Sequence, residues 1–346
     1  MRLAPAVLAA ALVALVVRPA SGDALREVRL VMGTTVEVRA GGDACSAAIV
    51  EAFAAIARVD ERMSLWKESE LLALDRNGTG VLSEETLAVL RHALLVAEAS
   101  GGAFDPTVEP LVRAAGGFGD LPVELSGEAR KAALARVDYR RVTLLPSSRT
   151  VRLEGGARVV LDGIAKGYAA DRALQALRAA GATTGLVDIG GSSLGVFGEP
   201  LVLELRDPTG RGAPWGAFVV EETSVSTSGG DQRPGHILDP RTGEPARSVL
   251  AATVVAASGM EADALSTAVF VMGAEEGLAL LVRRGAAGLV LVEEEGRRTL
   301  RTTPAFAERF ALKASPGVAV RAWAPARASH GQAAGHAARG RLGPGR

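Results

Sequence analysis

The sequence predicts an α+β protein with mixed, largely antiparallel sheets and flanking helices. Short strand patterns come in runs between helical patterns, without the one-to-one alternation that a parallel, doubly wound sheet needs. The 346 residues are 48% apolar and 23% charged, a globular balance that can bury a large core. No short-period repeat interrupts this order.

Taken in order, Val28, Leu30, Met32, Val36 and Val38 alternate across Gly33-Thr34-Thr35 and read as a bent strand or hairpin. Ile49, Phe53, Ile56 and Met63 fall at helical spacing and predict a helix from about residue 43 to 62. Ser83, with Glu84 and Glu85 behind it, starts a second helix that runs to Ser100 before Gly101-Gly102. Strands are expected near 142–144, 151–153 and 159–161, then a helix over 165–180 stopped by Gly181. Strands at 185–189, 201–205, 218–225 and 249–256 follow. Helices over 261–272 and 275–283 and a late strand at 288–293 close the pattern.

The two ends read differently. Met1-Arg2 precedes an uncharged apolar run from Leu3 to Val17, too short for a comfortable membrane span. Residues 1–22 are therefore read as a signal peptide, with an uncleaved anchor helix as the alternative. No Cys follows the run directly, so a lipoprotein anchor is not expected, and the single Cys45 is read as structural. Residues 313–346, rich in Ala, Gly, Pro and Arg, are read as a disordered basic tail. From Arg309 onward there are seven basic residues and no acidic one; with Arg2 and Arg18 also set aside, thirty basic face 39 acidic residues. A body that acidic argues against nucleic acid as its ligand.

The richest chemistry lies between Ser226 and Thr267. There a His236-Ile237-Leu238-Asp239-Pro240-Arg241-Thr242-Gly243 turn precedes a helix carrying Asp263, Ser266 and Thr267. Residues three and four apart share a helix face, so one carboxylate and two hydroxyls point the same way. Hard oxygens without Cys suit Mg²⁺, which keeps water and takes substrate phosphate as its remaining ligands. The plain alternative is a capped amphipathic helix with its hydroxyls in water. Four more segments accompany this stretch: Met32-Gly33-Thr34; the Pro-punctuated loop Ala103-Phe104-Asp105-Pro106-Thr107-Val108-Glu109-Pro110-Leu111; the strand-to-helix turn Asp162-Gly163-Ile164-Ala165-Lys166-Gly167-Tyr168-Ala169-Ala170-Asp171; and Asp188-Ile189-Gly190-Gly191-Ser192. Gly-rich turns let backbone N–H groups approach a phosphate or a planar ring.

In this order the five segments resemble the ApbE family, the FAD:protein FMN transferases of the bacterial periplasm, over roughly Arg26 to Glu294. The resemblance implies a T-fold-like α+β domain over residues 23–312, a periplasmic location, and Mg²⁺ with FAD as substrate. It implies cleavage of FAD to AMP and attachment of FMN, through a phosphoester, to a Thr or Ser of a target protein. A membrane-associated redox protein is one candidate target. Carried across by residue, Asp263 and Thr267 match side-chain metal ligands, Ser266 stands beside them, and the Gly163 carbonyl matches a main-chain ligand. Met32, Trp66, Ala103, Phe104, Asp105, Lys166, His236 and Ile237 match FAD-contacting positions. Asp263 and His236 are the catalytic candidates; Asp239 or His236 could take the acceptor proton, and His236 has a structural reading as well, bonded inside its turn.

The chain departs from the family pattern twice. Val160-Leu161-Asp162-Gly163 stands where Asp-Leu-Gly-Gly is usual, and only residues 230–235 separate Thr227-Ser228-Gly229 from His236, where a hairpin is usual. Two other activities compete with the transferase: a Mg²⁺-dependent FAD pyrophosphatase giving free FMN and AMP, and a flavin-binding protein without turnover. The acceptor pattern, Asp ahead of Ser/Thr-Gly-Ala-Thr, is missing here, with Gly181-Ala182-Thr183 the nearest fragment, so the acceptor is expected on another protein.

Overall fold

The computed structural model describes residues 24–117, 125–207, 212–229 and 237–324. The leader 1–22, His236 and the tail beyond 324 lie outside the described residues. The chain opens with the hairpin β1 (Leu25–Val31) and β2 (Thr34–Gly41), followed by helices α1 (Cys45–Met63) and α2 (Glu70–Asn77). Strand β3 (Thr79–Val81) leads to α3 (Glu84–Ala99), α4 (Glu109–Ala114) and α5 (Gly127–Leu134), then to β4 (Val142–Leu145) and β5 (Thr150–Leu153). Helix α6 (Ala165–Ala179) precedes β6 (Thr184–Ile189), β7 (Ser193–Phe197), β8 (Leu201–Leu205), β9 (Gly216–Val220) and β10 (Thr223–Gly229). After β11 (Ala251–Ala256) come α7 (Gly259–Met272), α8 (Ala274–Arg284), β12 (Ala287–Glu294) and β13 (Arg297–Thr302). Helix α9 (Pro304–Arg309) and strands β14 (Lys313–Ala314) and β15 (Val318–Ala322) follow.

One nine-stranded sheet, in the order β1-β2-β6-β7-β10-β11-β12-β13-β15, organises the molecule. Every pairing in it is antiparallel except β13 with β15. One face packs against α1, α6, α7 and α8 through residues such as Val36, Val254, Ile56, Leu177 and Leu265, and α3 packs on α7. Leu186, Val196, Val255 and Leu289 on the opposite face meet Leu203, Phe218 and Phe306 beneath the small sheet β14-β9-β8. Each large side chain so buried contributes about 1.5–3 kcal/mol. The predicted mixed, antiparallel-dominated fold is the observed one.

Several boundaries differ from the sequence reading. Residues 159–161, expected as a strand, join no sheet, because their donors go elsewhere: Val159 N–H to Asp75 Oδ1 at 2.7 Å and Val160 N–H to the Pro106 carbonyl at 2.8 Å. The single strand expected over 218–225 is two, β9 and β10, in different sheets, with Glu222 at φ +46° in the turn between them. The stretch expected as a disordered tail from residue 313 is folded at its start. Strands β14 and β15 occupy its start, and Trp323 is buried, donating its indole N–H to Glu275 Oε2 at 2.7 Å and its backbone N–H to the Thr302 carbonyl at 2.7 Å. The open edge of β13 supplies the pairing that composition alone did not suggest. The Pro-punctuated loop contains α4, since Pro110 stands in its first turn, where no intrahelical N–H is needed.

Asp75 gives a pH test of this packing. Burial, with buried Glu109 adding to it, pushes the Asp75 carboxyl from 3.8 up to about 7. The folded state then holds a proton that the unfolded chain releases. The stability tied to that proton is complete below about pH 4 and lost as pH rises through about 7. Asp75→Asn keeps an acceptor for Val159 but cannot ionise. Its melting temperature is expected to gain on the wild type steadily from pH 4 to 8, and parallel melting curves across that range would contradict the assignment.

Candidate active site

Helix α7 is buried almost all round, with ten of its residues out of solvent, Asp263 and Ser266 among them. Polar groups there need partners, and the structure supplies them from two elements. Gly167, in the first turn of α6, donates its N–H to Asp263 Oδ2 at 2.9 Å. Ser226 Oγ on β10 lies 3.1 Å from Asp263 Oδ1 and 3.1 Å from the Ser192 carbonyl, so its one proton serves both. Ser228 Oγ, two residues along the same strand face, lies 2.9 Å from Ser266 Oγ and 3.3 Å from Thr267 Oγ1. Ser266 also donates to the Asp263 carbonyl at 3.0 Å and is wholly buried, whereas Thr267 is half-buried.

Gly163 belongs to the same centre. A Cβ there would meet Thr267 Oγ1 at 3.6 Å and the Phe104 ring at 3.1 Å. The Gly167 N–H turns to Asp263 and not back to Gly163, and among the described residues no backbone donor reaches the Gly163 carbonyl. Asp263, Ser266, Thr267 and Gly163 therefore come together as the sequence placed them. The hydroxyls of Ser226 and Ser228 and the Gly167 amide are additions. Ser224, Ser226 and Ser228 recur at every second residue of a buried strand, a polar stripe that was legible as a signal.

The other segments gather around this cluster. Met32 and Gly33, at φ +56° and +69°, form the two-residue turn of the β1–β2 hairpin, where both central positions need positive φ. A side chain in that region costs of order 1 kcal/mol and marks a candidate functional position. The Gly190 N–H donates to the Thr35 carbonyl at 2.9 Å, and a Cβ on Gly190 would stand 2.8 Å from Thr34 Oγ1, so the hairpin turn abuts the glycine pair. Asp188 Oδ1 accepts the Gly191 N–H at 2.9 Å and shapes that pair. Burial, then Glu37 opposite it on β2, raises the Asp188 carboxyl to about 6.

Ala103 and Phe104 are buried, with the Phe104 ring beside Gly163. Asp105 is occupied with its own loop: Oδ1 accepts the Thr107 N–H and hydroxyl at 2.7 and 2.6 Å, Oδ2 the Tyr139 N–H at 3.0 Å, and burial raises its carboxyl. Lys166 Nζ donates to the Asp162 carbonyl at 3.0 Å. Trp66 is 64% exposed, an open aromatic surface. The Ile237 carbonyl accepts the Ala246 N–H at 2.9 Å, closing the turn over residues 239–243, and Arg241 Cγ lies 3.9 Å from a Cβ position on Gly102. Asp239 holds the Arg241 guanidinium through both oxygens, Nε to Oδ1 at 2.9 Å and Nη2 to Oδ2 at 2.8 Å.

Fold and site together define an α+β protein whose loops converge on one buried carboxylate, a set of hydroxyls and exposed backbone groups. Residues 32–290 match the ApbE family model, and the chain belongs to the ApbE family. It is 33% identical over 288 residues to the FAD:protein FMN transferase of Treponema pallidum (strain Nichols), covering 73% of this chain and 80% of that one. The Escherichia coli (strain K12) protein of the same name is 29% identical over 259 residues, covering 68% and 74%. Among solved structures, the ApbE protein of Thermotoga maritima superposes with a TM-score of 0.73 at 29% identity, covering 85% of this chain and 97% of that one. The apo flavinyl transferase ApbE of Pseudomonas stutzeri gives 0.73 at 27% identity, covering 83% and 96%.

Proposed function

We propose that this chain is a Mg²⁺-dependent FAD:protein FMN transferase, exported to the periplasm. The observation that carries the reading is Asp263, buried between the Gly167 amide and the Ser226 hydroxyl and next to Thr267 and Gly163. Taking a carboxylate out of water costs several kcal/mol. Two hydrogen bonds return about 1.5–3 kcal/mol each, so a cation beside Asp263 would complete the balance. Among the described residues no three His, Cys, Asp or Glu side chains converge. The donor set is instead the Asp263 carboxylate, the Thr267 hydroxyl and the Gly163 carbonyl, with Ser266 behind, a hard-oxygen set that fits Mg²⁺ with water and phosphate as its other ligands. When bound there, Mg²⁺ supplies charge neutralisation on the diphosphate.

The residues do the rest by position. Met32, Trp66, Phe104 and Ile237 offer apolar surface to the flavin. The acceptor hydroxyl oxygen forms a bond to the FMN phosphorus while the phosphoanhydride bond to AMP breaks; AMP leaves and the hydroxyl proton goes to a base. Asp239 is a poor base while bound by Arg241, which leaves His236 the better of the two on chemistry.

The test is to incubate the protein with FAD, Mg²⁺ and a peptide carrying Asp ahead of Ser/Thr-Gly-Ala-Thr, and to weigh the peptide. A gain equal to FMN, lost in Asp263→Ala, is the expected result. AMP release without a mass gain would leave a pyrophosphatase, and bound but intact FAD only a carrier.

A further inference from the structure

Asp171 lies one turn beyond Gly167 on α6, and its carboxylate reaches across to α7. Its Oδ1 accepts the Gly259 N–H at 2.6 Å, its Oδ2 the Met260 N–H at 3.0 Å, and the Ser224 hydroxyl donates to Oδ1 at 3.3 Å. Ser258, the residue before α7, covers the next amide, Glu261 N–H, at 3.2 Å. Four residues before Asp171, the Gly167 N–H holds Asp263 Oδ2. The two helices thus grip each other reciprocally: a carboxylate of α6 on amides of α7, and an amide of α6 on a carboxylate of α7.

Between these grips the backbones touch. A Cβ on Gly259 would stand 2.5 Å from the Gly167 carbonyl oxygen, and one on Gly167 would stand 1.9 Å from the Gly259 carbonyl oxygen. A glycine-on-glycine contact has no side chains to interlock, so it does not itself fix how far α7 slides or turns. A slip of one residue would turn Asp263 by about 100° away from Gly163. The directional bonds to Asp171 oppose that slip together with the Gly167–Asp263 bond.

We propose that Asp171 is a positioning residue for the cation site, setting the register and rotation at which α7 presents Asp263 and Thr267 to Gly163. The inference rests on reading that cluster as the Mg²⁺ end of the site. A helix cap alone would contribute about 1 kcal/mol of stability and nothing specific to the site. Ser258 provides the comparison, since its hydroxyl caps the same helix through Glu261 N–H and bonds to no α6 group among the described residues.

Asp171→Ala, Asp171→Asn and Ser258→Ala would be compared by melting temperature, by amide hydrogen exchange over residues 165–170, and by the Mg²⁺ concentration that half-saturates FAD cleavage. Asp171→Ala is expected to speed exchange in that segment and to raise the Mg²⁺ requirement about tenfold or more, the effect typical of losing an outer-shell partner. Asp171→Asn keeps one acceptor and should fall between; it also carries the test if the Ala variant does not fold. Ser258→Ala should lower the melting temperature and move neither exchange nor Mg²⁺ requirement. Equal shifts in the Ser258 and Asp171 variants, or an Asp171→Ala that melts early with both site readouts unmoved, would overturn the proposal. Failure of the wild type to cleave FAD would instead sink the transferase reading, and the exchange data would still decide whether Asp171 positions α7.

Discussion

Asp263→Asn is expected to lower FMN transfer about a thousandfold or more, the scale of losing a preorganised electrostatic group at a phosphoryl centre. The same substitution should leave the metal-free protein no less stable. Asn keeps the shape and one oxygen acceptor, so the Gly167 amide or the Ser226 hydroxyl retains a partner. It also removes the cost of holding a charge out of water. The two effects run in opposite directions, which separates a functional carboxylate from a structural one. A variant that lost activity only in proportion to a falling melting temperature would make Asp263 a packing residue. Activity and melting temperature measured on one preparation decide between these.

The second large effect is at Gly167. A methyl group there would stand 1.9 Å from the Gly259 carbonyl oxygen and 2.7 Å from Asp263 Cβ. The first obstruction is backbone, so no flexible side chain can swing away and the helices must part. Overpacking of this kind costs about 3 kcal/mol or more when the neighbours cannot yield. Parting the helices also lengthens the amide bond to Asp263. Gly167→Ala should therefore unfold at markedly lower denaturant and transfer little FMN even where it is folded. Gly33→Ala is the control: nothing lies within 4 Å of its Cβ position, and only its φ of +69° resists, at about 1 kcal/mol. Similar unfolding midpoints for the two variants would show that α6 and α7 have room to separate.

Helices were the legible part of the fold because each carries its own period and its own ends. Ser83 caps α3 through Thr86 N–H as its position before Glu84 and Glu85 suggested, and Gly181 follows α6 as expected. Strands β7 and β13 escaped notice for physical reasons. Ser193–Phe197 is buried on both faces and holds Gly195, so it shows no alternation, and Arg297–Thr302 reads as charged surface although Thr299, Leu300 and Thr302 are buried. At the site, helix spacing put Asp263, Ser266 and Thr267 on one face, but reading them as metal ligands, like the choice of Gly163, came from the family resemblance. No spacing rule links Ser226 to Asp263 or Gly167 to Asp263, separations of 37 and 96 residues that only the folded sheet closes. Asp239 shows the opposite limit: its carboxylate looked available in sequence, and the neighbouring Arg241 claims it.

The order of the large sheet sets where the chain enters and leaves it. Strand β1 lies at one edge and β15 at the other, with seven strands between them. At the usual spacing of neighbouring strands the two edges are about 38 Å apart. Whatever precedes Leu25 and whatever follows Trp323 are thus attached on opposite flanks. Splicing the two flanks together in a rearranged chain would take a linker of at least about 11 residues.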